Sequence, residues 1–427
     1  MFSVLVDLIN ASKDSVSKAK RQQGSFLRTF VDVVLIVYTL GFFSFRIGEL
    51  FPLALMYPLA VKSAIFGSVS LRFFLHNRSI AQLIHVASLI ALLYAMDVYF
   101  PKPLNESYAT KTVFITGSNS GVGFETARQL VVNYGMNVIM GCRSAAKCNE
   151  AVNAINAEAA SNGSASPLLI DLSNFDSVKQ AVSQLNEQKI DVLYNNAGYV
   201  PGEYLPVNEY GLDPSFTTMH FSPFLLTELL LQVNPSLRVV NTSSGTHHLC
   251  ALPFTYLPGK LVNLIQWNPG CVDEQFLQLG IRTPTDIGAY YQAKVANVMH
   301  AVSIPHNHPQ ATSVAIDLGW VSTSILPFMG LSIFPFGWMR NANIGVLPAI
   351  HAILSSDEEL LDGFEMGREW SDGGIVMNSL GYTHEAYGYP WWVDGSNADL
   401  NRERMLELGR KLWVTSLVIT ETLNVDN

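Results

Sequence analysis

Six short runs of mostly aliphatic and β-branched residues recur between residues 111 and 319, and stretches with a helical pattern separate them. They read KTVFITG (111–117), NVIMGC (137–142), SPLLIDL (166–172), IDVLYNNAG (190–198), LRVVNTSS (237–244) and TSVAIDLG (312–319). A strand that is apolar on both faces has to be covered on both faces, and the helices between the runs are what can cover it. The pattern therefore predicts an α/β domain over 110–427, a doubly wound parallel sheet of Rossmann type.

Ahead of that domain the chain changes character. Hydrophobic residues make up 49% of the 427 and charged residues 14%, against a usual charged share of about a quarter, and the unevenness along the chain points to a bilayer-associated part. Residues 1–28 are polar, with Lys13, Lys18, Lys20, Arg21 and Arg28 suiting a cytosolic flank. Three apolar stretches follow within 29–100, at Thr29–Phe45, Phe51–Val69 and Ser79–Phe100, each near the roughly 20 residues that span a bilayer. Asp32, Lys62, His85 and Asp97 are costly in a bilayer unless they lie near its interface. Two to three membrane helices are expected, followed by a polar linker at 101–109. The net charge of −9 comes without a basic stripe in the domain, which argues against a nucleic-acid partner. Cys142, Cys148, Cys250 and Cys271 show neither CxxC nor His/Cys spacing. They read as ordinary thiols in reducing surroundings, with no metal site.

The stretch TGSNSGVGFETARQL (116–130) sets Gly117, Gly121 and Gly123 between the first strand and a helix. Missing side chains there let a pyrophosphate approach backbone amides and the helix N-terminus. Farther on, Tyr290 and Lys294 are four apart, so on a helix they share a face one turn apart. An ammonium beside a phenol favours the phenolate, and a tyrosine so tuned can pass a proton to or from an oxygen. Ser244 ends the fifth run, where it can hydrogen-bond that oxygen. Position alone leaves rivals: Tyr291 is also within a turn of Lys294, and Ser243 precedes Ser244, although adjacent strand residues face opposite sides. His247 and His248 read as solvated loop residues.

The TGxxxGxG spacing, NNAG (195–198), NTSS (241–244) and YxxxK at Tyr290 and Lys294 occur in this order on successive elements. Together they resemble the short-chain dehydrogenase/reductase family, and CRSAAK, FLLTELLL, AKVAN and RKLW are most similar to its retinol-dehydrogenase-like branch. The resemblance implies that Ser244, Tyr290 and Lys294 are catalytic, choosing Ser244 over Ser243 and Tyr290 over Tyr291. It also implies a nicotinamide dinucleotide held by Gly117, Ser118, Asn119, Gly121, Val122, Gly123, Arg143, Asp171, Leu172, Asn196, Ala197, Gly198, Tyr290, Lys294, Gly319, Val321 and Thr323. A carboxylate closing the second strand would bind the 2′-hydroxyl of NAD. VIMGCRSAAK has none, and Arg143, with Ser118 and Lys147, can instead hold the phosphate of NADP(H).

Three departures accompany the matches. Met219 stands where the family has an asparagine behind the lysine, Leu318–Gly319 replaces a Pro-Gly, and an insertion at about 246–286 reads as a lid or membrane-facing loop. The apolar run Ile325–Met339 lies where the family's substrate-binding helices form. The expected function is a membrane-anchored, NADP(H)-dependent oxidoreductase that interconverts hydroxyl and carbonyl groups on a lipophilic small molecule such as a retinoid or steroid. The alternative is a non-enzymatic, membrane-tethered nucleotide-binding scaffold or sensor. Retained Ser244, Tyr290 and Lys294 favour the enzyme, and a homo-oligomer is left open.

The basic N-terminus and the basic loop around Arg72 and Arg78 fit a cytosolic hairpin, with the third stretch lying in the membrane surface. The expectation is an endoplasmic-reticulum protein whose catalytic domain faces the cytosol. Two acceptor sequences report on this, NES at Asn105 and NGS at Asn162. Expressed in a eukaryotic cell, the protein is expected to show no glycosidase-sensitive shift in mobility; a sugar on Asn162 would place the domain in the lumen.

Overall fold

Strands and helices alternate along the domain as the sequence pattern requires. They run β1 (Thr112–Thr116), α1 (Gly121–Tyr134), β2 (Asn137–Cys142), α2 (Ala145–Glu158), β3 (Ser164–Leu169), α3 (Phe175–Gln184) and β4 (Val192–Asn195). A one-turn helix, α4 (Pro214–Phe216), then passes through a π-helical stretch, Thr217–Phe221, into α5 (Ser222–Val233). After β5 (Arg238–Thr242) come α6 (Asp286–Asn307), β6 (Thr312–Ile316), α7 (Ala342–Gly345) and α8 (Leu347–Leu354). Two three-residue strands, β7 (Ile375–Met377) and β8 (Thr383–Glu385), precede α9 (Ala398–Thr422). The computed structural model describes residues 111–159, 163–185, 188–201, 205–244, 286–319, 321–323, 325, 341–356, 375–377, 383–385 and 398–422. All of these fall in the unit formed by Phe100–Ile333 and Arg340–Asn427.

The sheet order is β3-β2-β1-β4-β5-β6-β7-β8. Each pair from β3 to β7 is parallel, and β8 runs antiparallel to β7. All six runs read from the sequence are strands of this sheet. The third is Ser164–Leu169 rather than 166–172, and it carries Pro167, which an edge strand tolerates because one of its sides makes no ladder bonds. The antiparallel β8 corrects the expectation of a wholly parallel sheet. It and β7 are too short to carry a periodic signal.

Each face of the sheet has its own core. In β1, Phe114 points into one cluster with residues of α3, α5 and α6, whereas Val113 and Ile115 point into the other with residues of α1, α2 and α8. That is the two-residue alternation of a strand buried on both sides. Capping sets where several helices begin: Ser144 Oγ accepts from the Lys147 amide, Asn174 Oδ1 from Ser177, and Asp213 Oδ1 from Phe216.

Among the described residues no helix is long and apolar enough to cross a membrane. The three N-terminal apolar stretches, the segment 1–28, the linker 101–109, both acceptor asparagines and nearly all of the insertion lie outside the described residues. So do His247, His248, Cys250, Cys271 and nearly all of the apolar run 325–339.

One reading is corrected. Cys142 and Cys148 are not thiols but form a disulfide, with Cα atoms 5.8 Å apart. The last residue of β2 and the first turn of α2 face each other across a tight loop, a proximity that the six-residue separation does not announce. A disulfide at this pair removes two of the four thiols that pointed to reducing surroundings.

Candidate active site

The sheet order reverses between β1 and β4, and the chain leaves the C-terminal ends of these two strands in opposite directions, opening a crevice there. Thr116, the last residue of β1, is fully buried. Its Oγ1 accepts from the amides of Asn196 and Ala197, both at 3.1 Å. Asn196 returns the contact, its Nδ2 donating to the carbonyls of Thr116 at 2.9 Å and Gly117 at 3.3 Å. The glycine turn is thereby laced to the end of β4.

Gly117 has φ 65°, and a Cβ there would lie 2.9 Å from Ala197 Cα. A Cβ on Gly123 would lie 2.5 Å from both Asn196 Nδ2 and the Gly117 carbonyl oxygen. Any side chain at either position would break the lacing or fill the turn. What remains is bare backbone leading into the N-terminus of α1.

A cleft of about 1030 Å³ opens from this turn. Of the residues expected from the sequence, Gly117, Asn119, Gly121, Val122, Gly123, Arg143, Asp171, Leu172, Asn196, Ala197, Gly198, Ser244, Tyr290, Lys294, Gly319, Val321 and Thr323 all line it. Ser118 does not. It is fully buried, with Oγ 3.4 Å from the Gly141 carbonyl and 3.9 Å from Cys142 Sγ, so its expected contact with a phosphate is corrected. Arg143 is exposed at the end of β2. Thr323 stands over the turn, with Cβ 3.7 Å from where a Gly121 Cβ would be.

Both serines follow the end of β5 and both line the cleft, so strand alternation does not separate them. Ser243 is 2% exposed and its Oγ donates to the Lys294 carbonyl at 2.9 Å; Ser244 is the less buried of the two. Tyr290 and Lys294 share a face of α6, the ammonium 5.3 Å from the ring centroid. The side chain of Tyr291 is outside the described residues.

Lys294 is 1% exposed, and its Nζ donates to the Thr242 carbonyl at 3.0 Å. Asn297 Nδ2 donates to the same carbonyl at 2.9 Å, a partner the sequence reading missed although it sits one turn beyond Lys294. Met219, in the π-helical stretch, lies with Lys294 around Gly198: a Cβ there would be 3.3 Å from its sulfur and 3.5 Å from Lys294 Nζ. Below lies a buried polar layer in which Asn195 Nδ2 donates to Asn241 Oδ1 at 2.9 Å and Asn241 Nδ2 lies 3.4 Å from His300 Nδ1. Burial holds His300 down to about 3 and His220 well below its usual range, so both rings are neutral. Tyr199, also in the cleft wall, was not singled out from the sequence; burial raises its phenol, with the charge of Arg143 acting in the opposite direction.

Burial pushes Lys294 down to about 8, opposed by the charge of Asp317. At neutral pH it is still an ammonium beside the phenol. Because the folded chain releases this proton more readily than the unfolded one, the contribution of Lys294 to stability rises as pH climbs from about 8 toward the ordinary lysine value of 10.5. Denaturant titrations at pH 7.5 and 10 are expected to show Lys294→Met gaining most at the lower pH, the gap narrowing by up to ~3 kcal/mol at the higher. A pH-independent gap would contradict the burial argument.

With the geometry in hand, comparison with known proteins is specific. The short chain dehydrogenase family model matches residues 111–251. A short-chain dehydrogenase/reductase of Armillaria gallica is 33% identical over 254 residues, 56% of this chain and 69% of that protein. Human retinol dehydrogenase 13 is 33% identical over 150 residues, 34% of this chain and 44% of that protein. The matches to human retinol dehydrogenases 13 and 12 thus span less than half of their lengths. Among solved structures, an NADPH-bound carbonyl reductase from chicken fatty liver gives a TM-score of 0.45 at 16% identity, over 65% of this chain and 99% of that one. The order of motifs, the parallel sheet that carries them and the extent of the Armillaria match lead to one assignment: the chain belongs to the short-chain dehydrogenase/reductase family, on its retinol-dehydrogenase-like side.

Proposed function

We propose that this chain is a membrane-anchored, NADP(H)-dependent oxidoreductase that interconverts a hydroxyl and a carbonyl on a lipophilic small molecule. The observation that carries the reading is the convergence of Ser244, Tyr290 and Lys294 in the same cleft as the glycine turn. The turn fits a dinucleotide because the positions of Gly117 and Gly123 leave no room for a side chain where a pyrophosphate would approach. Gly117, Asn119, Gly121, Val122 and Gly123 would hold the phosphates, Asp171 and Leu172 the adenine, and Gly198, Val321 and Thr323 the nicotinamide end. When bound, that group supplies or accepts a hydride.

The chain's own residues supply the proton and the positioning. Lys294, buried and held by the Thr242 carbonyl, presents a fixed positive charge to the Tyr290 ring. A charge fixed in a low-dielectric setting favours the phenolate more than one in water. Tyr290 then gives or takes the proton of the substrate oxygen, and Ser244 hydrogen-bonds that oxygen and holds it in place. Replacing Tyr290 by Phe removes the transferable proton at nearly constant volume. Turnover is expected to fall by about 10²-fold or more, the range of general acid–base contributions, with NADPH affinity retained in a fluorescence titration. Full activity of Tyr290→Phe would remove the mechanism.

NADP(H) rather than NAD(H) is supported by Arg143, which lines the cleft at the end of β2 where no carboxylate stands. A guanidinium–phosphate contact is charge-assisted. Arg143→Ala is expected to weaken NADPH binding about tenfold, equivalent to ~1.4 kcal/mol, and to leave NADH binding unchanged. Equal losses for both nucleotides would sink the assignment.

Several relatives are named retinol dehydrogenases, and this supports a lipophilic substrate class here. The apolar stretches of residues 29–100 support membrane attachment, and the basic flanks support a cytosol-facing domain at the endoplasmic reticulum. One observation favours the rival reading of a non-catalytic scaffold: Met219, 1% exposed, puts a thioether beside Lys294 where the family has an amide. Turnover of any lipophilic ketone or alcohol that Tyr290→Phe abolishes decides between the two.

A further inference from the structure

We propose that the Cys142–Cys148 disulfide is a redox site that sets the affinity of the cleft for a 2′-phosphorylated dinucleotide, with a dithiol reductant as its substrate. The proposal rests on the cofactor reading above and adds a control to it. The bond closes a short ring in which Arg143 and Ser144 link β2 to α2, and Ala145, Ala146 and Lys147 begin the helix. Residues 143–147 are exposed, whereas the two sulfur-bearing residues are each 1% exposed. The loop is therefore an exposed, basic strap with both ends fixed inside the protein, and Arg143 on it lines the cleft.

The same bond abuts the glycine turn. Ser118 Oγ lies 3.9 Å from Cys142 Sγ, and the Gly117 amide donates to the Gly141 carbonyl at 2.8 Å, one residue before the disulfide. On the other side, Cys148 sits in the first turn of α2, the helix capped by Ser144. A single covalent link thus joins the end of β2, the start of α2 and, through Ser118, the underside of the turn. Arg143 is the residue whose freedom this link restricts most directly, being next to Cys142 inside the ring.

A guanidinium fixed before the ligand arrives loses less freedom on binding than one on an open strap. Opening the ring restores conformations to the residues that link β2 to α2, Arg143 and Ser144, and the cost of ordering them again falls on the ligand that Arg143 must meet. The step itself balances. A thiolate of the reductant attacks one protein sulfur, the S–S bond breaks, and the other protein sulfur leaves as a thiolate that takes up a proton. The second reductant thiol then resolves the mixed disulfide. Two electrons and two protons pass to the protein, leaving two cysteine thiols and the disulfide of the reductant. By linkage, a ligand that prefers the closed strap also opposes reduction of the bond.

The test uses the purified full-length protein. Alkylation under denaturing conditions with and without prior reduction, read by mass, reports whether Cys142 and Cys148 are bonded. NADPH and NADH are then titrated by fluorescence against untreated, dithiothreitol-reduced and reoxidised samples. Reduction is expected to raise the Kd for NADPH about tenfold, reversibly, and to leave the Kd for NADH unchanged. Saturating NADPH is expected to shift the dithiol–disulfide equilibrium toward the bonded form, and Cys148→Ser to bind as the reduced protein does. The same NADPH Kd before and after a demonstrated reduction overturns the proposal, as does full alkylation of the pair without reductant. Parallel loss of NADPH and NADH overturns it too, because the effect would then not act through the phosphate. If neither nucleotide binds in either state, it is the cofactor reading that fails.

Discussion

Two backbone amides converge on the hydroxyl of Thr116, and the geometry of the cleft follows from that contact. Where neighbouring parallel strands send their connections to opposite faces, their ends have no ladder beyond the last residue and would splay apart. Thr116 and Asn196 supply the missing bonds through side chains, four of them at 2.9–3.3 Å. Because Asn196 Nδ2 reaches over the Gly117 carbonyl, the turn is held against β4 at a distance that excludes any Cβ at Gly123. The glycines are as much a condition for this lacing as an adaptation to a ligand. The same close approach brings Gly198 to within reach of Met219 and Lys294, so the glycine turn and the Tyr290–Lys294 pair share one frame.

The parts of this arrangement that were legible in the sequence are those set by local chemistry. Strand runs such as VFIT and VLYN are buried at every position because both faces are covered, with polar residues only at their last positions, Thr116 and Asn195, and helix spacing alone places Tyr290 over Lys294. Strand alternation did not decide between Ser243 and Ser244, because both follow the end of β5 and line the cleft; the hydroxyl of Ser243 is taken up by the Lys294 carbonyl. What stayed hidden depends on contacts distant in sequence. Asn195 pairing with Asn241, Asn297 sharing the Thr242 carbonyl with Lys294, and the burial of Ser118 all arise when β1, β4, β5 and α6 come together. The disulfide was missed for a different reason: its partners are near in sequence, but only the strand-to-helix turn brings their side chains face to face.

Lys294 is placed at some cost. Its burial alone would drive the ammonium toward neutrality, and two features hold it charged at pH 7: the Thr242 carbonyl and the field of Asp317. Met219, itself 1% exposed, lies close by and offers the ammonium neither oxygen nor nitrogen. The neutral layer of Asn195, Asn241 and His300 beneath it brings dipoles without a competing charge. Stability is thus exchanged for a fixed charge beside the Tyr290 ring.

Helix α9 lies against α5, α6 and the π-helical stretch. Its Trp413 meets Phe224 edge-on at 5.0 Å and stands 5.8 Å from both His300 and His308, while Ser416 takes the Nε2 of His220 at 3.0 Å. The floor beneath the Tyr290–Lys294 pair is therefore completed by a segment synthesised more than a hundred residues after Lys294. During translation the N-terminal apolar stretches and the strands of the dinucleotide half emerge long before that floor can close. A ribosome-bound chain that already displays the glycine turn and Tyr290 would still expose Phe224 and its neighbours to solvent, so the order of synthesis ties completion of this floor to the arrival of residue 413.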